Sequence, residues 1–515
     1  MTWWRDAVVY QIYPRSFRDS NGDGVGDING IRAQLPYLAW LGVDAIWLSP
    51  VYPSPMRDFG YDVSNYVDVD PVFGTLQDFD ALVHEAHAAG LRVLLDWIPN
   101  HTSSDHPWFV DSRASRDSAH RDWYIWRDAK PDGSLPNNWI GAWSGEPAWT
   151  WDQTTDQYYL HCFLPSQPDL SWANVAVRDA MHETLRFWLD RGVDGFRMDV
   201  VHLLSKDVDV DDPEDLRGLS HTPLNDVPVT HEYLREIRSV LDEYGNDRVS
   251  VGEVYLFDPE RVATYYGDGD ELHLSFNFAS LFTAWRADAW RDVILRTEEA
   301  FSAVGGWPTW VLSNHDNARV ATRLLGDQQR VRAALVLLLT LRGTPFLYAG
   351  EELGLEDAVI PPDRVADPGG RDGCRAPLPW TPEPGHGWPG EPWLPFADRA
   401  AEQSVEVQRV DDGSMLSLTR RVLDLRRRTA ALRSGSLDGV RVERDVLSFD
   451  RAKGVQRIRV IVNFATTECE MAPVAGRILL SSVGVVNPGV LRAGEVVILE
   501  LAPVGSDGPP APLSD

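Results

Sequence analysis

Eight short apolar runs alternate with amphipathic segments through most of this chain, and few folds accommodate that rhythm. The runs fall at 7–13, 45–49, 92–96, 195–199, 249–253, 272–276, 309–313 and 345–348. Helical periodicity lies between them, for example at 79–89, 175–190, 232–244 and 328–341, and a last helix at 415–432 can close a ring. Strand–helix units repeated eight times predict an α/β architecture, a (β/α)8 TIM barrel. One connection breaks the pattern. Between His101 and Leu170 no helix returns the chain, and a stretch that long reads as an inserted subdomain after strand three rather than as a loop. Beyond Ser434 the periodicity shortens to alternating runs such as VLSFDRA, QRIRVIVNF and EVVILELAP, which predict a C-terminal antiparallel β domain. The expected organisation is a barrel over 1–101 and 171–433, an insert over 102–170, a β domain over 434–505 and a disordered tail over 506–515.

Several of the predicted strands end on polar clusters. Asp199 follows GFRM, Glu253 closes VSVGE, His315 and Asp316 end WVLSNHD, and Asp96, Asn100 and His101 lie in DWIPNH. A parallel barrel aims the side chains at its strand ends toward one mouth, so four such clusters would converge. Arg197 and Asp199, two apart, point to the same side of their strand, where the guanidinium favours an ionised acid. Two acids flanking a bond are what glycosidic cleavage requires, and a third can stabilise the cationic transition state.

Composition narrows the partners. With 48 basic and 77 acidic residues the net charge is −29, which argues against nucleic acid and anionic membranes. Cys162, Cys374 and Cys469 are too few and scattered for a disulfide framework or a zinc site and suit free thiols in a reducing compartment. The N-terminus enters a strand pattern at once, without a signal-peptide pattern, and the longest apolar run, 333–341, is too short to span a bilayer. A cytoplasmic location is expected. Of the 21 tryptophans, many lie between Trp108 and Trp172, where they serve either as core filler for an irregular insert or as stacking platforms for sugar rings.

DWIPNH, GFRMDVVH, VGEV and SNHD, in that order, resemble the four short motifs of the α-amylase superfamily, glycoside hydrolase family 13. QPDLSW resembles a further motif of its oligo-1,6-glucosidase and α-glucosidase branch, and GTPFLYAGEELG its strand-eight motif. The resemblance covers the whole chain. It implies that Asp199 is the nucleophile, Glu253 the general acid/base and Asp316 the transition-state stabiliser, with His101 and His315 binding the sugar in the first subsite. Arg197 and Phe163 join the substrate-binding set. Tyr61 and Asp62, in DFGYDVSNY, match a pair that stacks on the glucosyl ring and grips its terminal hydroxyls. An arginine is expected beside Asp62; RDGCRAP supplies Arg371 and Arg375, with Arg375 preferred. Val200 is the linkage marker, valine accompanying α-1,6 preference in related enzymes, although it could simply pack against the barrel. Ser171, Cys374 and Leu378 depart from the branch pattern without removing a catalytic group.

The implied activity is that of a retaining, exo-acting α-glucosidase on short oligosaccharides, by way of a covalent glucosyl intermediate. A transferring or isomerising relative, of the trehalose synthase or sucrose isomerase type, keeps the same triad and stays open. A catalytically dead binding subunit would be expected to lose triad acids, and a phosphate-binding barrel would want a glycine-rich loop near the last strands; neither pattern is present.

DSNGDGVGDING places Asp19, Asn21, Asp23, Val25 and Asp27 at positions one, three, five, seven and nine of an EF-hand-like loop. Gly30 occupies the twelfth position, where a bidentate acid belongs. Branch members carry a calcium in this loop, so a structural Ca2+ is expected, the alternative being a polar turn held by Asx hydrogen bonds.

Overall fold

In a computed structural model of the chain, the structure describes residues 2–142, 145–212, 224–470, 476–484 and 489–502. The tail expected over 506–515 lies outside the described residues.

Eight parallel strands run in barrel order: Val9–Ile12, Ala45–Leu48, Arg92–Trp97, Gly195–Met198, Val249–Gly252, Leu274–Ser275, Thr309–Val311 and Thr344–Tyr348. All but the leading Arg92 are buried, which is why these segments read as continuous apolar runs rather than alternating ones. Backbone pairing runs from the seventh strand through the eighth and first to the sixth. The seam between sixth and seventh is closed by a side chain. Thr309 Oγ1 donates to Ser275 O at 2.8 Å and accepts from Asn277 N at 3.1 Å. The sixth strand is shorter than the five-residue run in the sequence because its partner on one side is a hydroxyl and not a ladder.

Helix ends depart from the apolar periodicity where caps decide them. The first long helix begins at Leu76, three residues earlier than its apolar pattern, because Thr75 and Asp78 form a reciprocal capping box. The helix expected over 415–432 is two, Met415–Arg428 and Ala430–Ser434, interrupted at the extended Thr429.

Between the third strand and the helix Val175–Asp190 a three-stranded antiparallel sheet forms from Trp126–Arg127, Trp149–Asp152 and Gln157–Leu160. Trp126, Trp139, Trp149 and Trp172 are buried, and Trp108 and Trp123 pack half-buried against the core, so most of the tryptophan cluster fills space. This region is tied to the loop after the fourth strand: Asn137 Nδ2 donates to Val208 O and Trp139 Nε1 to Val210 O. Strands Ser436–Glu443, Val446–Lys453, Gln456–Asn463, Val496–Leu501 and Gly476–Ser481 form the C-terminal antiparallel sheet in that order. No helix among the described residues is long and apolar enough to cross a membrane.

Arg451 locks that sheet to the barrel. It is fully buried, and its guanidinium donates to Thr340 O at 2.6 Å, Gly435 O at 3.0 Å and Ser436 O at 3.1 Å. Thr340 ends the helix Gln328–Thr340, so the cation also sits at a helix C-terminus. We expect Arg451→Met to strand three carbonyls and cost about 2 kcal/mol or more, measured as a lower thermal midpoint. Arg457→Met, on the same sheet but partly exposed, should shift the midpoint little.

Candidate active site

The mouth of the barrel is organised around one guanidinium. Arg197 leaves the fourth strand with a side chain only 3% exposed, and its Nη1 donates to Asp96 Oδ1 at 2.8 Å and to Asp199 Oδ1 at 2.7 Å. Its Nη2 bonds Glu253 at the end of the fifth strand. One planar cation therefore binds both candidate catalytic acids, which can be only a few ångströms apart. Two acids held this near each other on one cation are the arrangement a retaining glycosidase uses, in which one acid attacks directly and no water stands between them. Gly252, just before Glu253, packs closely under Leu272, where a Cβ would lie 2.3 Å from Leu272 Cδ1.

A second chain of contacts positions the seventh-strand residues. Gln11 Nε2 meets His315 Nδ1 at 2.7 Å, and His315 Nε2 meets Tyr61 Oη at 2.5 Å. With the Gln11 amide donating, the imidazole proton sits on Nε2 and points at the Tyr61 oxygen, whose own O–H donates to Asp96 Oδ2 at 3.1 Å. Tyr61 stacks on His315 with centroids 5.3 Å apart and planes at 5°. Burial lowers the His315 pKa to about 3, so the ring is neutral at physiological pH. His101 is likewise lowered by burial. It sits against Phe163 and contacts Gln167 Nε2 at 3.2 Å.

The acids differ in their electrostatics. Burial would raise Asp316, but His315, Arg371 and Arg375 outweigh it and hold the carboxyl well below the usual range. Asp316 receives Arg371 at 2.9 Å and Arg375 at 3.2 Å. Asp199 is pushed up, first by burial and then by repulsion from Glu253 and Asp96, with Arg197 opposing. Asp96 is raised to about 6, mainly by burial. Three carboxylates on one guanidinium cannot all be ionised cheaply, and burial with mutual repulsion accordingly raises Asp199 and Asp96.

The expected pairing of Asp62 with an arginine requires correction. Asp62 is fully buried and accepts from Ser54 Oγ, Arg57 N and Asp58 N, so it staples its own loop. The aspartate–arginine pair is Asp58 with Arg371, at 2.5 Å. Arg371 also bridges to Asp316, and Asp58 accepts from Gln167 Nε2 at 2.9 Å. Arg375 lies behind, donating to His315 O, Asp316 and Asp367. Both acids stand in the segment MRDFGYD, four residues apart, and only the backbone hydrogen bonds reveal which one is consumed by the turn.

Val200 sits at φ 36° and ψ 44°, a left-handed conformation that a β-branched residue rarely adopts. The turn aims its N–H at Glu253 Oε2, 3.3 Å away, and packs its side chain with Cys162 and Leu203. The loop at 19–30 is well ordered by local bonds. Asp19 accepts from Asn21, Gly22 and Gly24 backbone N–H groups, Asp23 from Val25, and Asp27 caps the helix Ile28–Ala33. Among the described residues no group of three His, Cys, Asp or Glu side chains converges as a metal cluster.

The family model described as Alpha amylase, catalytic domain, matches residues 11–435. A probable alpha-glucosidase of Rhizobium meliloti is 43% identical over 502 residues, covering 90% of this chain and 89% of that protein. An oligo-1,6-glucosidase of Parageobacillus thermoglucosidasius is 37% identical over 514 residues, covering 90% of each. Among solved structures, an alpha-glucosyl transfer enzyme, XgtA, superposes with a TM-score of 0.91 at 41% identity, covering 98% of this chain and 100% of that one.

The raised Asp199 carries a stability consequence. A carboxyl whose folded pKa lies above its unfolded value of about 4 stabilises the fold only while protonated. That contribution is complete below pH 4 and is lost as pH rises through the folded pKa. We therefore expect Asp199→Asn to match the wild-type thermal midpoint near pH 4 and to exceed it near pH 8, by about 1 kcal/mol or more. A midpoint below wild type at both pH values would mean that the Arg197 contact outweighs the burial of the charge.

Proposed function

The chain belongs to the α-amylase catalytic-domain family, and on that premise we propose that it is a retaining, exo-acting α-glucosidase. It removes terminal α-linked glucose, through α-1,4 or α-1,6 bonds, from short oligosaccharides. The observation that carries this reading is the Arg197 guanidinium holding Asp199 and Glu253 together. The Asp58–Arg371–Asp316 wall supports exo-action, because buried charges can grip the hydroxyls of a terminal sugar and leave no apolar path for a longer chain.

The steps follow from the geometry. Glu253 protonates the glycosidic oxygen while Asp199 attacks C1, giving a glucosyl ester. Asp316, held ionised by its arginines, stabilises the cationic character that develops between these states. Glu253, now a carboxylate, then deprotonates the incoming water, and the ester opens with net retention. Neutral His315 keeps Tyr61 oriented beside the ring position.

The loop Asp19–Asp27 we propose as a structural calcium site. Its donors would be Asp19, Asn21, Asp23, the Val25 carbonyl and Asp27. All are oxygens, the hard donor set that calcium takes. Gly24, at φ +85° in the sixth loop position, makes the sharp turn that such a calcium loop requires. Three unpaired thiols, two of them buried, are consistent with a cytoplasmic location.

Glucose release from maltose and isomaltose tests the activity, with α-glucose expected as the first anomer by NMR. Glu253→Gln should reduce kcat by about 10³-fold or more. β-Glucose first, or rearranged disaccharide in place of glucose, would overturn the assignment as a retaining hydrolase. The ratio of the two substrates reads the role of Val200. For the loop, chelation should lower the thermal midpoint and added calcium restore it, and Asp23→Ala should abolish both responses.

A further inference from the structure

The first strand reaches His315 twice. Gln11 Nε2 meets the imidazole at Nδ1, 2.7 Å away, and Tyr13, two residues on and therefore on the same side of an extended chain, lies against the ring itself. The Tyr13 and His315 ring centroids are 5.8 Å apart, with their planes at 19°. Pro14 follows Tyr13 and confines it to extended backbone, at φ −89° and ψ 102°, so the ring keeps the direction that the strand gives it. Tyr13 is only 2% exposed.

A second neighbour of the Tyr13 ring is Arg375, whose guanidinium carbon lies 5.2 Å from the ring centroid. Arg375 is fully buried and donates to His315 O at 2.8 Å and to Asp316 Oδ1 at 3.2 Å, while His315 Nε2 lies 3.2 Å from Asp316 Oδ2. Two groups that hold the Asp316 carboxylate, one at each oxygen, thus rest on a single phenol ring. The third, Arg371, is held separately by Asp58 and Asp367. The Tyr13 hydroxyl adds nothing to this arrangement: it is buried and has no hydrogen-bond partner among the described residues. A buried hydroxyl left unpaired is costly, so the polar end does not hold the residue there. What Tyr13 supplies is a ring.

We infer that Tyr13 is a positioning residue for the reaction, its ring being the platform from which His315 and Arg375 hold the Asp316 carboxylate in place. This rests on the glucosidase reading above. Almost closed to solvent, Tyr13 acts through these neighbours and not on the sugar. An aromatic ring suits the task because its face attracts a cation without offering a competing acceptor. A carboxylate or amide in its place would draw Arg375 away from Asp316, and an aliphatic side chain would leave the guanidinium free to shift. Asp316 opposes positive charge that develops only at the transition state, so a displaced carboxylate lowers kcat more than it raises KM. A displacement of about 1 Å costs on the order of 10²-fold in rate.

The test sets Tyr13→Leu against Tyr13→Phe. With maltose, Tyr13→Leu should lower kcat at least tenfold and move KM less than threefold. Tyr13→Phe keeps the ring and should stay within twofold of wild type in both. A smaller folded fraction would also lower kcat, but an inhibition constant does not depend on how much enzyme is active. For deoxynojirimycin, whose ring nitrogen carries a positive charge as the transition state does, that constant should rise at least tenfold in Tyr13→Leu and less than twofold in Tyr13→Phe. Wild-type kcat or an unchanged inhibition constant in Tyr13→Leu would overturn the proposal. A tenfold loss in Tyr13→Phe would overturn it too, by placing the role in the hydroxyl. Tyr13→Met, with an unbranched side chain that fills irregular space, carries the same expectations should Tyr13→Leu not fold. Absence of hydrolysis of any α-glucoside by the wild type would bring down the glucosidase reading itself, and this inference with it.

Discussion

Everything at the barrel mouth depends on where the charge of Arg197 goes. The guanidinium is buried and faces three carboxylates, so its field is weakly screened and its geometry is fixed by a planar fork. An isolated carboxyl as buried as Asp199 would stay protonated and be a poor nucleophile; an isolated arginine there would be too costly to bury at all. Together they form a cluster with one positive and up to three negative charges, in which burial and repulsion raise Asp199 and Asp96 while Arg197 opposes both. The fold supplies the fourth strand for Arg197 and Asp199, the third for Asp96 and the fifth for Glu253, and the parallel register brings the three strand ends level. Residues Asp96–Arg197 and Arg197–Val251 are paired across adjacent strands, so the acids come from neighbouring rungs of one ladder.

How far the sequence can be read depends on the range over which each feature is determined. Strand ends are legible because burial on both faces of a parallel barrel leaves an unbroken apolar run, and the polar residue that ends it is conspicuous. Asp199, Glu253, His315 and Asp316 need nothing more. The sixth strand reads too long in sequence because what limits it is a hydroxyl bridge from Thr309, thirty-odd residues away. Asp62 reads as the arginine's partner in place of Asp58 for a related reason. Both are acids in one loop, and the difference is that Asp62 accepts two backbone N–H groups and a serine hydroxyl while Asp58 faces Arg371 across 313 residues of sequence. Composition and spacing register local patterns; they carry no record of which lone pairs a turn has already taken. The exposed aromatic rim just beyond Glu253 is invisible as well, since Tyr255, Phe257 and Phe282 read as ordinary core residues until their exposure is known.

The two arginines of RDGCRAP divide a task that the sequence presents as a choice. Arg371 reaches into the pocket and joins Asp58 to Asp316, while Arg375 stays behind, holding His315 O and Asp367. Asp367 accepts from both and so fixes the angle between them. The charge on Asp316 thus reflects a second cluster, with two cations for three acids where Arg197 faces three acids alone. The cluster with less positive charge raises Asp199 and Asp96; the one with more holds Asp316 low. One mouth thus carries acids of different electrostatic character without any difference in residue type.

The mouth has one polar wall and one apolar wall. The polar wall is built from residues whose charges are mutually satisfied, so altering one disturbs several; it can vary little while the terminal glucose is the same. The apolar wall begins two residues beyond the acid, and the charge pairs beside it, Arg296 with Asp258 and Glu260, are separate from the Arg197 cluster. A hydrolase and a glucosyl-transferring enzyme can accordingly share 41% of their residues and superpose closely over nearly their whole lengths.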